Sequence, residues 1–470
     1  MNTATHKLFK NSLIFVVANF GTKIFSFIMV AFYTYVLTTS EYGTVDLITT
    51  TITLLLPIVS FYIQDGAMRF SMDADYDNQR VFSSSVAVFT SNMLLVSLFL
   101  PLLSYFHVFD GNLFLFFGIL LFQGYYTIIG QFVRGIGKVG VFAFGGVLNT
   151  ALLLVTNILF LFVWKLGIFG YLFSLFLSNL ITTLFFLWKG KLWTYFDIKK
   201  IDSKTLKDML RYCLPLVPNS LMWWIMSMSD RYMIVWMISS AANGLYAVAN
   251  KLPSILNMVT NIFFQAWQIT VIEEEKSQER NQYYSKVFHY FSILLLLTTS
   301  GVLLFAKPVI LTFISNEFAL SWKYLPPLAF SVVFSSFSSF LGSYYSMLKK
   351  TRGALITTIV GGILNIACNF LLIPKYGING AAIATMISMF VLWLTRLIDT
   401  KKYVRMNYRI TYLGLCTIFL IIQTFGYYQN GMLGYVVQIG SFFVLFWMSR
   451  KELKSIFIFM KQTVRRKRNA

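Results

Sequence analysis

Residues 145–188 read "GGVLNTALLLVTNILFLFVWKLGIFGYLFSLFLSNLITTLFFLW", with Lys165 the sole ionised side chain among them. A run of about 20 apolar residues can cross a hydrocarbon core of ~30 Å as a helix. The stretch therefore reads as two membrane spans, 139–164 and 168–188, reversing direction at "KLGIFG". Both signatures return later in the chain. "GGVLN" (145–149) is echoed by "GGILN" (361–365), and "KLGIFG" (165–170) by "KYGING" (375–380). "SEYGTVDL" (40–47) and "AANGLYAV" (241–248) likewise both sit at the turn from an odd helix to an even one. Three matches in chain order predict two related six-helix halves. Helices one and seven share an orientation, so the repeat is parallel, and transporters of that design bind substrate between the halves.

Apolar runs of this length recur from end to end. Of 470 residues, 57% are hydrophobic and 12% charged, and the mean hydropathy is +0.68, whereas a soluble domain carries about 25% charged residues. The expected fold is an all-α integral membrane protein of fourteen transmembrane helices, two six-helix lobes plus two C-terminal helices. The first run follows "MNTATHKLFKNS" without a small-residue cleavage site and reads as an uncleaved span. The expected organisation is an N-terminal lobe over 1–188, a cytoplasmic linker over 189–209 and a C-terminal lobe over 210–398. Two extra helices over 399–449 and a basic tail over 450–470 complete it. Helices two, seven and eight are expected over 43–65, 210–239 and 244–272.

The net charge of +21 would suggest nucleic acid in a soluble protein. Here positive-inside orientation accounts for it. With both termini in the cytoplasm, 32 of the 39 basic residues fall in cytoplasmic segments, seven of them (Lys189, Lys191, Lys199, Lys200, Lys204, Lys207, Arg211) in and beside the linker. Lys165, Lys307, Lys323 and Lys375 lie towards the outside. Lys23, Arg231 and Lys251 remain within spans. Outer loops such as "TTSEYG" and "YYQNGM" are short, which leaves no outer domain for a polymerase or ligase. Cys213, Cys368 and Cys416 sit in apolar runs and read as small buried residues.

"SMSDRYMIVWMISS" (227–240) places Asp230 beside Arg231 in an apolar run, where an unpaired ion costs several kcal/mol. Helix eight carries Asn250, Ser254, Asn257, Asn261, Gln265 and Gln268 at spacings of three and four, which is one helical face. Helix two repeats the device with Asp46, Thr50, Thr53, Pro57, Ser60 and Gln64. Asn19 and Lys23 are four apart on helix one. Helical glue explains single hydroxyls and amides, but six along about five turns predict a water-lined face. Lys23, Arg231 and Lys251 against Asp46 and Asp230 leave a positive excess suited to an anionic passenger, and ammonium and guanidinium groups are the usual phosphate binders. Trp223, Trp224 and Trp267 are candidates to stack on sugars.

Together "VANFGTKIFSF", "YTYVLTTSEYGTVDLITTTITLLLPIVSF", "PLVPNSLMWWIMSMSDRYMIVW" and "NGLYAVANKLPSIL" resemble the Wzx-like polysaccharide-biosynthesis flippases of the multidrug/oligosaccharidyl-lipid/polysaccharide (MOP) exporter superfamily. The resemblance implies two six-helix lobes with helices one, two, seven and eight lining a cavity, and site positions at Lys23, Asp230, Arg231, Asn250 and Lys251. The implied substrate is an undecaprenyl-pyrophosphate-linked oligosaccharide turned across a bacterial cytoplasmic membrane. Membrane lipid and polysaccharide polymerase machinery are the candidate partners, and nucleic acid is not. No catalytic site, metal or cofactor is called for, and a coupling ion stays open. A cation-drug exporter of the same fold and a membrane polymerase or ligase are the rival readings.

Overall fold

The computed structural model describes residues 28–105, 109, 111–273, 280–348 and 351–468. Among them every regular element is helical, and ten helices are long and apolar enough to cross a membrane. Their contacts separate two compact units, one running to Trp224 and one from Ile225 onward. The first holds α1 (28–36), α2 (Thr39–Ser60), α3 (Ile63–Ser71), α4 (Asn78–Ser97), α5 (Leu100–Tyr105), α6 (Leu113–Gly135) and α7 (Val139–Asn157). α7 widens into a π-helical turn (Ile158–Val163) before α8 (Gly167–Gly190), and α9 (Ser203–Cys213) follows. The unit boundary falls within α10 (Leu216–Met237). The second unit continues with α11 (Ser240–Ala249), α12 (Pro253–Glu273), α13 (Arg280–Phe313), α14 (Leu325–Met347), α15 (Thr351–Tyr376), α16 (Ile378–Thr400), α17 (Ile410–Tyr428) and α18 (Met432–Arg468).

Two helices expected to be continuous are broken. Helix two stops at Ser60, where Phe61 and Tyr62 take left-handed backbone (φ 50° and 60°), and resumes as α3. Pro57 removes one rung of the ladder just before the break. The freed groups are paired: Asn92 Nδ2 donates to Val59 O (2.8 Å), the Tyr62 N–H donates to Ser60 Oγ (3.2 Å) and Ser60 Oγ donates to Gln64 Oε1 (3.0 Å). The lower end of the helix-two stripe is thus spent on itself, within the core. Helix eight begins at Ser240, stops at Ala249 and restarts at Pro253 as α12. Pro253 has no N–H, and its ring would strike the carbonyl of Ala249, so the chain turns at Asn250, Lys251 and Leu252.

The expected linker is ordered. Asp202 caps α9 by accepting from the Thr205 N–H (3.1 Å). Thr205, Met209 and Cys213, four apart, give the helix one buried face. Tyr76 OH donates to Asp208 Oδ2 (3.0 Å) and ties α9 to the α3–α4 connection.

Candidate functional site

Asp230 and Arg231 are neighbours on α10, and both are buried, at 2% and 7% exposure. Successive helical residues diverge in direction, so the arginine must fold back to meet its partner. Its Nη1 lies 3.4 Å from Asp230 Oδ1 and 3.1 Å from Ser227 O, with the guanidinium 5.8 Å from the Tyr246 ring centre. Asp230 Oδ1 also accepts the Arg231 N–H (3.0 Å). Asp230 Oδ2 accepts from Tyr246 OH and from Thr385 Oγ1 (3.2 Å). The guanidinium and the two hydroxyls stand where burial has taken water from the carboxylate, and removing one partner of such a pair costs about 3–5 kcal/mol.

The network continues through residues that sequence reading did not place at a site. Asn365 Nδ2 donates to Ser388 Oγ (3.2 Å), and Asn365 Oδ1 accepts from Ser229 Oγ (3.2 Å) and Asn369 Nδ2 (3.1 Å). Asn365, Asn369 and Ser388 are fully buried. The signal was present: Asn365 is the asparagine of "GGILN", and Tyr246 lies in "NGLYAVAN". Which carboxylate they would meet was not legible. As donors, the atoms around Asp230 are hard oxygens, of the kind that suit a small cation rather than a soft one, and Arg231 supplies the positive charge there.

Lys251 sits half-buried at the break between α11 and α12, where no helix fixes its neighbours. Among the described residues its ammonium meets no carboxylate. Asn250 is half-buried and folds back on α11, donating Nδ2 to Tyr246 O (3.0 Å), whereas Asn257 and Asn261 are exposed along α12. The expected stripe therefore begins at Ser254, and Asn250 belongs to the end of α11. Asp46 is half-exposed on α2. On that helix Thr50 and Thr53 receive the Trp224 indole N–H, at 3.2 Å (to Thr50 O) and 3.1 Å (to Thr53 Oγ1). Asn19, Lys23 and the side chain of Gln265 lie outside the described residues.

Two assignments change. Trp267 is buried, donates to Ser343 Oγ (2.8 Å) and stacks on Phe340 at 4.6 Å, so it belongs to the core of the second unit and offers no face to a sugar. Arg396, counted among the cytoplasmic bases, is 3% exposed. Its guanidinium donates to Ser338 O (3.0 Å), Thr357 Oγ1 (3.2 Å) and Thr358 Oγ1 (3.0 Å), joining α14, α15 and α16.

Residues 8–268 match the sequence profile of a family described as polysaccharide biosynthesis protein. An uncharacterised membrane protein of Methanocaldococcus jannaschii is 25% identical over 266 residues, 53% of this chain and 62% of that one. A probable low-salt glycan biosynthesis flippase of Haloferax volcanii, Agl15, is 22% identical over 234 residues, 48% of this chain and 49% of its own length. The match thus spans less than two thirds of either relative. Among solved structures, lipid II flippase MurJ in an inward closed conformation has a TM-score of 0.73 at 14% identity, covering 95% of this chain and 100% of that one. An inward-facing multidrug resistance MATE family transporter of the MOP superfamily has a TM-score of 0.63 at 15% identity, with 85% and 99% covered. The fold is the one these transporters share.

Proposed function

The chain belongs to the polysaccharide biosynthesis protein family, and from that membership we propose that it is a flippase for undecaprenyl-pyrophosphate-linked oligosaccharide repeat units. It turns them from the cytoplasmic to the outer leaflet of a bacterial cytoplasmic membrane by alternating access, with both termini in the cytoplasm. The product feeds capsule, O-antigen or exopolysaccharide assembly, where polymerase machinery takes it up. The chain acts as a transporter and not as an enzyme.

The passenger poses a physical problem that the polar residues fit. A diphosphate with several sugars cannot cross hydrocarbon unaided, while its polyprenyl tail is at home there. The observation that carries this reading is the charge left once Arg231 and Asp230 are paired. Lys251 stands at a break in its helix, without a carboxylate partner among the described residues. We assign the pyrophosphate to Lys251 and Lys23, which act as compact point charges, with Arg231 held in its orientation by Asp230. Asn250, Asn257, Asn261 and Gln265 are assigned to sugar hydroxyls, because an amide both donates and accepts. A cation exporter would require the opposite sign of residual charge.

Lys251→Ala, expressed in a strain lacking the native gene, is expected to reach the wild-type level in the membrane. It is expected to accumulate lipid-linked repeat units inside the cell and to lose surface polymer, and Lys251→Arg to restore export. Full surface polymer from the alanine variant would defeat the binding role.

A further inference from the structure

The segment that leaves α8 contains none of the residues assigned above to the substrate. α8 ends at Gly190, and Lys191 takes left-handed backbone (φ 50°), which turns the chain. Leu192, in a 3-10 turn (Leu192–Thr194), is fully buried and pins the segment down. Gln79 Nε2 donates to Thr194 O (2.8 Å). Ser83 Oγ donates to Tyr195 O (3.3 Å) and accepts the Asp197 N–H (2.9 Å). Lys138 Nζ donates to Gly190 O (2.7 Å). Residues 191–200 therefore form a shelf bonded to α4 and not a loose tether.

That shelf exposes what a water-facing surface would hide. Trp193 is 58% and Ile198 70% exposed, and Phe196 is exposed beside them. Three large apolar side chains within six residues form a patch that soluble surfaces avoid. Lys189, Lys191 and Lys199 flank the patch in sequence and are exposed, Lys189 with its Nζ 4.1 Å from the centre of the exposed Trp188 ring, while Lys200 lies 3.8 Å from Asp77. The acids nearby are engaged: Asp197 accepts the Lys199 N–H (2.9 Å), and Asp202 caps α9. Behind Trp193 and Phe196 lies an apolar groove of about 390 Å³, walled by Val86, Phe122, Leu184 and Leu187. Aromatic anchors, flanking lysines and an apolar slot are together the chemistry of a lipid headgroup boundary.

We infer that residues 189–200 hold an anionic phospholipid. One acyl chain lies in the groove under Trp193 and Phe196, and the headgroup phosphate meets Lys189, Lys191 and Lys199. Opposite charge selects this lipid: a zwitterionic lipid offers the same chain but no net negative charge to three ammonium groups. None of these residues belongs to the proposed substrate site, so the inference stands or falls apart from the flippase reading.

The test is native mass spectrometry of the purified full-length protein with equal amounts of phosphatidylglycerol and phosphatidylcholine of identical chains. The wild type is expected to retain phosphatidylglycerol over phosphatidylcholine by at least about fivefold. K189Q/K191Q/K199Q is expected to bring the ratio to parity at an unchanged melting temperature, and W193A/F196A to lower retention of both lipids. Equal retention by the wild type, or an undiminished preference in the triple variant, overturns the inference. Should W193A/F196A fail to fold, W193F carries the test. Brominated-chain phosphatidylglycerol in phosphatidylcholine vesicles is then expected to quench wild-type fluorescence more than that of W193F, and equal quenching overturns the inference.

Discussion

Two hairpins that look alike in sequence, α7–α8 and α15–α16, are fastened differently. In the first, Asn149 Nδ2 donates to Asn179 Oδ1 (3.2 Å) and Thr182 Oγ1 (3.4 Å), and Asn149 itself is half-buried. In the second, Asn365 is fully buried, bonds Ser388 across the hairpin and joins the Asp230 network. The turns differ too. α7 reaches its turn through six π-helical residues, and a Cβ added at Gly170 would lie 3.0 Å from Leu166 Cβ and 3.1 Å from the Phe160 carbonyl, a tight fit short of a clash. At Gly380 the same atom would lie 2.2 Å from Leu372 O, a backbone atom that cannot step aside. The same motif is a packing clamp in one hairpin and part of a charged core in the other. Its surroundings decide which.

The sharpest way to break this contrast is to remove the charge from one side. Arg231→Ala is expected to destabilise the protein by about 3–5 kcal/mol, because Asp230 is left buried without its cation. The double variant Arg231→Met with Asp230→Asn is expected to recover most of that loss. Thermal unfolding of the purified full-length chain measures both, and a mild Arg231→Ala would mean that Asp230 has other compensation. Next in size, Gly380→Ala is expected to cost about 3 kcal/mol by overpacking against backbone, and Gly170→Ala about 1 kcal/mol. Equal losses would erase the difference between the turns. Asn365→Leu is expected to cost about 2 kcal/mol, since it takes from the buried Asn369 amide the carbonyl it donates to. Asn149→Leu is expected to cost about 0.6 kcal/mol, the usual value for a polar contact between membrane helices. The reverse order would reassign the buried clamp.

The smallest effect lies outside the spans. The Asp202 carboxylate accepts from the Thr205 N–H (3.1 Å) and hydroxyl (3.0 Å), and these bonds, with Arg80 at 3.5 Å, hold its pKa below the ordinary carboxylate value. A group depressed in this sense stabilises the folded state fully above its unfolded pKa and loses that contribution as pH falls through the folded one. Hydrogen exchange is expected to show protection of residues 203–213 declining below about pH 4, and Asp202→Asn is expected to flatten that dependence. An unchanged profile in the variant would assign the loss to another carboxyl group.

Much of this could be read from one dimension. Apolar length, basic loops and the polar residues of α10 and α12 all follow from local rules. The breaks at Phe61 and Pro253 were less legible. A proline within a polar stripe gives no sign that the helix will break four residues on, at Phe61, where Asn92 takes up the Val59 carbonyl. Arg396 shows the limit most plainly. It stands near the expected end of its span and reads as a loop cation, yet hydroxyls from α15 and a carbonyl from α14 draw it inside.

The sequence by itself determined the class of molecule, since the lengths of apolar runs and the segregation of bases are properties of consecutive residues. It also determined that Asp230, Arg231 and Lys251 stand among apolar neighbours. Only the tertiary structure decided which of these charges is cancelled. Asp230 meets Thr385 from 155 positions away, and Arg231 closes on it by folding back along its own helix. Coulomb energy falls with distance and rises as water is excluded, and both depend on the packing of helices far apart in the chain.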